Sequence, residues 1–231
     1  MSDYKKDAAA ACLQFLQAGQ TIGLGAGTTI AHFIDLACLE TDLVKTLSFV
    51  SSSFKTRAYL KEKGLRIVSS SLTEKVDIYF DGCDQFDAQL NALKSGGGIH
   101  TSEKVLATLA DKFILLGDEG KFAAQLDHTY PLVIEILPEA LTAVMKALKL
   151  AYPEAEIKLR TAKEKDGAVI SDNGNLLADI WFSVLPELSV LNVTVKMIPG
   201  VVEHSLFYGL AWAAVIAGEK GVRKITRDNL Q

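Results

Sequence analysis

Cysteine is scarce in this chain of 231 residues: Cys12, Cys38 and Cys83 are an odd, widely spaced set with no C-x-x-C pair. That disfavours a disulfide framework and a structural zinc site, and a reducing, cytoplasmic setting is the simplest inference. A basic surplus is also missing. Twenty-four Lys and Arg stand against 28 Asp and Glu, a formal charge of −4, which argues against a nucleic-acid partner. Local basic residues and helix ends can still take an anionic ligand. No apolar stretch approaches the roughly 18 residues of a membrane helix. The start, MSDYKKDAAAACLQFLQAGQ, carries acidic residues and Gln, and reads as an amphipathic first helix rather than a signal peptide. Repeats, low-complexity segments and a disordered linker are absent. What remains is ordinary globular composition, 49% apolar and 23% charged. The length suits one good core, or one main domain with a smaller lobe.

Helix-like and strand-like segments alternate through the first half. DYKKDAAAACLQFLQ, TTIAHFIDLACLE, FKTRAYLKEKG and SEKVLATLADK have helical spacing, and TIGLGAG, TLSFVSSS, RIVSS, VDIYFDG and FILLGD read as strands. This order predicts a parallel sheet with helices on its faces, with any ligand beyond the carboxyl ends of the strands. The loops GLGAGTT, SSSFKT and DGCDQFD should share that rim. Near residue 128 the pattern changes. YPLVIEILP is a strand, EALTAVMKALKLAYP a helix, and AVISDNGNLLADIWF a hairpin whose Asn173-Gly174 centre suits a type I′ turn. LPELSVLNVTVKMIPG reads as helix and VVEHSLF as strand. The β-α-β-β-α-β order predicts a small α+β, ferredoxin-like lobe over residues 128–204, inserted into a Rossmann-like catalytic domain of residues 1–127 plus 205–231. The tail AWAAVIAGEKGVRKIT should return to the first sheet as one or two strands.

Three loops have residues suited to chemistry. In GLGAGTT, glycines between a strand and a helix let backbone amides approach an anion. A P-loop would need Lys where Thr28 stands, and the G-x-G-x-G spacing, with serines ending the next strand, does not fit a dinucleotide fingerprint. The plainer reading is a tight turn with Thr28 or Thr29 as N-cap. In ALKSGGGIHTSEK, Lys94 precedes a glycine run, and Glu103 falls in the first turn of a helix. It is either a carboxylate placed well against the helix dipole or a rigidly held general base. In VDIYFDGCDQFD, Asp81, Asp84 and Asp87 lack the alternation of an EF-hand. Mg²⁺ on one or two of them is allowed but not required, and an Asp/Gly turn is the plainer reading. Cys83 among acids should be an unreactive filler. His32, His100, His128 and His204 show no paired ligand spacing.

Together, GLGAGTTIAHFID, SSSFKT, DIYFDGCDQFD, LKSGGGIHTSEK, GDEGK and SDNGN…IPGVVEHSLF resemble the type A ribose-5-phosphate isomerases, over nearly the whole chain. The resemblance implies a cofactor-free aldose–ketose isomerase of the pentose phosphate pathway, with no metal, acting on a sugar phosphate and assembled as a homodimer or homotetramer. Matched residue by residue, Ala26, Gly27, Thr28 and Thr29 would hold substrate, most plausibly its phosphate. Asp81, Gly82, Cys83 and Asp84 would contact sugar oxygens. Lys94, Ser95, Gly96 and Gly97 form the Lys-Gly loop, Glu103 matches the family's base, and Lys121 its further substrate lysine. The lining departs from the family at Ala26, Thr28, Gln85, Ser95, His100 and Ser102. An isomerase of another short sugar phosphate is therefore the alternative. Sugar-phosphate sensors and coenzyme A transferases of related fold fit less well. About twenty residues precede the first strand, too few for an added DNA-binding segment, and a transferase would use its glutamate as nucleophile.

Overall fold

The computed structural model describes residues 3–162 and 166–226; residues 227–231, expected with the first domain, lie outside them. Helix α1 (Tyr4–Cys12) starts at Asp3, whose carboxylate accepts from Lys6 N. There follow β1 (Thr21–Leu24), α2 (Thr28–Ala37), the single-turn α3 (Thr41–Val44), β2 (Ser48–Ser51) and α4 (Phe54–Glu62). Next come β3 (Val76–Asp81), the short β4 (Gln85–Phe86) and β5 (Ala92–Leu93), α5 (His100–Leu109) and β6 (Ala110–Asp118). After these are β7 (Leu132–Ile136), α6 (Leu141–Ala151), β8 (Glu156–Leu159), β9 (Leu176–Trp181), α7 (Leu188–Lys196) and β10 (Val201–His204). The chain closes with β11 (Leu206–Phe207), β12 (Ala213–Gly218) and β13 (Gly221–Thr226).

The main sheet runs β13-β12-β6-β3-β1-β2, parallel throughout except for β13, which turns back along β12. The expected return of the tail is thus two strands. Strand β3 sits centrally, and five of its six residues are buried, as a strand covered on both faces must be. Ile30, Phe33, Ile34 and Ala37 recur at helical spacing on α2 and pack with Ile78 and Phe80 on one face. Leu106 and Ala107 of α5 pack with Tyr79 and Phe113 on the other.

A second sheet, β10-β7-β9-β8, is wholly antiparallel. Numbered from its own first strand, the order is 4-1-3-2, with α6 and α7 between strands, which is the ferredoxin-like arrangement the pattern predicts. Its apolar core is separate from that of the main sheet. A small third sheet, β11-β5-β4, joins the two.

Four local expectations change. RIVSS makes only an isolated bridge, Phe49 with Ile67, because the chain turns into a 3₁₀ segment at Ser70–Leu72. VVEHSLF splits between two sheets at buried Ser205, which donates its N–H to Val133 O and accepts from Lys94 N. The N-cap of α2 is Gly27, at φ 100°, and not a threonine. The hairpin turn is not type I′. Gly174 has positive φ but Asn173 does not, and Gly174 N donates to Ser171 O while Ser171 N donates to Asn175 O. That is a three-residue loop with glycine in the left-handed position.

Candidate active site

Beyond the carboxyl ends of β1, β3 and β6 lies a cavity of about 350 Å³. It is lined by Ala26, Gly27, Thr28, Thr29, Asp81, Gly82, Cys83, Asp84, Lys94, Gly96, Gly97, Glu103 and Lys121. Every residue singled out from the sequence as a site candidate therefore faces one space, apart from Ser95. The Ser95 hydroxyl donates to Pro131 O, away from the cavity, while its N–H donates to Asp84. Two further expectations fail. Gln85 does not line the cavity; its side-chain oxygen accepts from Asp127 N. The SSSFKT serines lie behind the rim, where Ser53 caps α4 and the Ser51 hydroxyl contacts the Gly25 and Ser53 carbonyls. Sequence patterning does not single out Lys5, Ile99 or Asp118, which also line the cavity. Lys5 arrives from α1, distant in sequence, and no motif marks it.

Asp81 is the geometric centre. It ends β3 with 1% exposure. Its Oδ1 accepts from Gly82 N at 2.8 Å and Ala26 N at 3.2 Å. Its Oδ2 accepts from Tyr79 Oη at 2.6 Å and from Lys94 Nζ at 2.9 Å. Four donors on two oxygens leave it no spare lone pair. Asp84 differs: its Oδ2 accepts from Ser95 N at 2.6 Å and Gly96 N at 2.9 Å, and no protein donor engages Oδ1 among the described residues. Asp87 is a turn brace, accepting from Gln89 N, Asn91 N and Asn91 Nδ2.

Lys94 Nζ reaches Asp81, Gly82 O and, at 3.4 Å, Glu103 Oε1. Burial works against its charge, but the Asp81 and Glu103 carboxylates outweigh that and hold its pKa above the usual lysine value. Glu103 lies on the inward face of α5 with His100, Leu106 and Ala107 and is 5% exposed. Burial pushes its pKa up to about 8; Lys94 pulls it down, and Asp81 adds to the rise. The Cys83 thiol is driven up to about 12, mainly by burial, consistent with an inert lining role. Also at the cavity, Thr28, Thr29 and Ile30 open α2 with N–H groups that have no helical partner, and the helix dipole favours an anion there. Lys5 and Lys121 flank the cavity. Gly97 and Gly98 both have φ 69°, a region few other residues adopt, and a Cβ on Gly98 would lie 2.6 Å from Leu177 Cδ1.

A carboxylate raised in proton affinity, a lysine fixed beside it and an anion seat in the same cavity describe an enzyme that moves protons on a small anionic molecule. Residues 48–221 match the ribose 5-phosphate isomerase A (phosphoriboisomerase A) family. The ribose-5-phosphate isomerase A of Rhodopseudomonas palustris is 36% identical over 229 residues, 97% of this chain and 98% of the relative. A solved D-ribose-5-phosphate isomerase in complex with phospho-erythronic acid superposes with TM-score 0.90 at 33% identity, covering 96% of this chain and 97% of the other. The ribose 5-phosphate isomerase A of Methanocaldococcus jannaschii gives 0.87 at 31%, with the same coverage. The chain belongs to the ribose 5-phosphate isomerase A family. No helix among the described residues is long and apolar enough to cross a membrane.

Proposed function

We propose that this protein interconverts ribose 5-phosphate and ribulose 5-phosphate through an enediolate, with Glu103 as the base that moves the carbon-bound proton. The observation that carries the reading is Glu103 itself, buried, raised in proton affinity and 3.4 Å from Lys94. With the open-chain aldose bound, Glu103 takes the proton from C2 and returns it to C1. One carboxylate on one face serves both steps, because it is protonated between them. Negative charge develops on the sugar oxygens in between, and the Lys94 ammonium meets it without reorganising.

The two aspartates divide the remaining work. Asp81, with every lone pair engaged, keeps Lys94 aimed and charged. Asp84 offers Oδ1 to the hydroxyl protons that must pass between O1 and O2, and to ring opening. The phosphate sits on the α2 amides between Lys5 and Lys121, so that binding energy far from the reacting carbons fixes their approach to Glu103. Phospho-erythronic acid, held by the related enzyme, joins a phosphate to a planar carboxylate and so imitates both ends of such an intermediate. We place the catalytic machinery in residues 1–127 with 205–231 and the α+β lobe in 128–204, in a cytoplasmic homodimer or homotetramer; light scattering of the purified protein tests the assembly.

The function is tested by following ribulose 5-phosphate formation with EDTA present, using wild type and Glu103→Gln. The wild type turns over, and the variant keeps its circular dichroism spectrum while losing activity. Full activity in Glu103→Gln removes the base assignment. Turnover of a different aldose phosphate, with none of ribose 5-phosphate, removes the substrate.

A further inference from the structure

Below the cleft, β1 and β3 fit together through alternate positions. Gly23 lies opposite Tyr79 in the parallel register. A Cβ on Gly23 would stand 2.7 Å from Tyr79 Cδ2, and one on Gly25 would stand 1.8 Å from Asp81 Cγ. Both are closer than non-bonded atoms allow. Gly23 in β1 and Gly25 just beyond its end thus clear the volume that alternate side chains of β3 occupy. The Tyr79 ring is fully buried and tilted against Phe113, with centroids 5.2 Å apart. Its hydroxyl donates to Asp81 Oδ2 at 2.6 Å and lies 3.4 Å from Ser52 Oγ. The oxygen it reaches is the one that holds Lys94.

We propose that Tyr79 is a positioning residue for the isomerisation: its hydroxyl locks the Asp81 carboxylate in orientation against Lys94, and Gly23 and Gly25 clear the space that this requires. The inference rests on the isomerase reading. Tyr79 is not part of the cavity wall and acts through Asp81. A donor to a carboxylate favours its ionised form. That donor and Lys94 compensate the Asp81 charge, and it is this charge, beside Glu103, that adds to the rise of the Glu103 pKa. Among the described residues, the charged and titratable groups sharing the cavity with Asp81 and Glu103 are Lys5 from α1, Cys83 and Asp84 from the turn after β3, Lys94 from the loop after β5, Asp118 at the end of β6 and Lys121 after it. None of them replaces the phenol as a neutral donor to Asp81 Oδ2. Without the hydroxyl, the Asp81 charge acts less compensated on Glu103, which then holds its proton more tightly, and less of the enzyme carries an ionised base at a given pH.

The test is the pH profile of kcat/KM for Tyr79→Phe, which removes one oxygen and keeps the ring. The acid limb is expected to move up by about one pH unit, giving about a tenfold loss at pH 7 that recovers at high pH. A loss of equal size at every pH, or no loss, overturns the proposal. If Tyr79→Phe does not fold, 3-fluorotyrosine placed at position 79 supplies a stronger donor and should move the limb down; an unmoved limb overturns the proposal. Wild type is assayed first on ribose 5-phosphate, which separates failure of the isomerase reading from failure of this one. Should wild type be inactive, NMR titration of ¹³C-labelled glutamate carboxyls, with Glu103→Gln assigning the signal, still reads the Glu103 proton affinity. A rise in Tyr79→Phe supports the role of Tyr79, and no change overturns it.

Discussion

Two buried glutamates flank the start of α5, and their surroundings have opposite consequences. Glu135, on β7, is fully buried. It accepts from Ser171 Oγ at 2.6 Å, Asn175 Nδ2 at 2.8 Å, Asn173 Nδ2 at 3.1 Å and the Thr101 hydroxyl. Burial alone would raise its pKa, but these donors outweigh it and hold Glu135 below the usual carboxylate range. Glu103, equally enclosed, has Lys94 at 3.4 Å and the Asp81 carboxylate beside it, and its pKa rises to about 8. Burial alone therefore does not make a base. Burial with too few donors to offset it does, and Glu135 is an anchor that ties α5 to the hairpin at residues 171–175.

Two lysines, Lys94 buried and Lys104 half-buried, repeat the lesson. Lys94 and Lys104 both lie over the Phe207 ring, at 5.7 and 5.3 Å from its centroid. Lys94 faces two carboxylates, and its pKa rises despite burial. Lys104 pairs with Glu203 at 2.9 Å, and burial lowers its pKa to about 8. The first pair of carboxylates surrounds the chemistry; the second contact fastens α5 to β10.

The comparison can be broken most directly at the glutamates. Glu103→Gln should lower kcat by about 10²- to 10⁴-fold, the range for loss of a general base. Glu135→Gln should leave kcat within a few fold and lower unfolding free energy by about 1–3 kcal/mol, as its donors lose a charged acceptor. Denaturant titration beside steady-state kinetics separates the two, and equal kinetic losses would refute the distinction. Next in size, Lys94→Met should cost about 10²-fold or more in kcat by removing the charge that meets the intermediate. Lys104→Met should leave kcat within a few fold, because Lys104 does not line the cavity, and lower stability only modestly, because Glu203 keeps Lys196 at 3.2 Å. In wild type, kcat/KM should climb with pH as Glu103 ionises, with an apparent pKa near 8; a flat profile from pH 6 to 9 would contradict it.

The smallest effect is on stability. A carboxylate whose folded pKa lies above its unfolded value contributes stability that is fully present below about pH 4 and lost as pH rises through the folded value. Glu103→Gln, free of that loss, should gain on wild type between about pH 4 and 8. Thermal melts across that window read the difference, and a gap that narrows with rising pH would show that Glu103 is not held in the state described.

Much of the site was legible because motifs sit at strand ends, and a parallel sheet gathers those ends on one rim. The sequence left Glu103 as a helix-dipole carboxylate or a base; its burial with His100, Leu106 and Ala107 on one face of α5 is a finding of the structure. Ser95 and Gln85 were not legible in this way. Neighbouring residues in a loop share composition but point to different partners, Pro131 O and Asp127 N, that other elements supply. The type I′ expectation failed similarly: Asn-Gly permits that turn, while the pairing of Ser171 with Asn175 chose a longer loop.

Alternation and periodicity, which are local, determined the parallel sheet, the ferredoxin-like lobe, and the common rim of the Gly-Thr and Asp-Gly loops; the Lys-Gly loop follows β5 of the small third sheet, and only the tertiary structure brings it to that rim. Tertiary structure decided which glycine does what. Read along the chain, Gly23, Gly25 and Gly27 are one anion-binding turn. In space, Gly27 opens α2, while Gly23 and Gly25 yield volume to Tyr79 and Asp81. It also decided that Asp81 is saturated, Asp84 available and Glu103 raised in proton affinity. Those properties depend on how many donors arrive from other strands and helices, and a donor count is set by packing across the sheet.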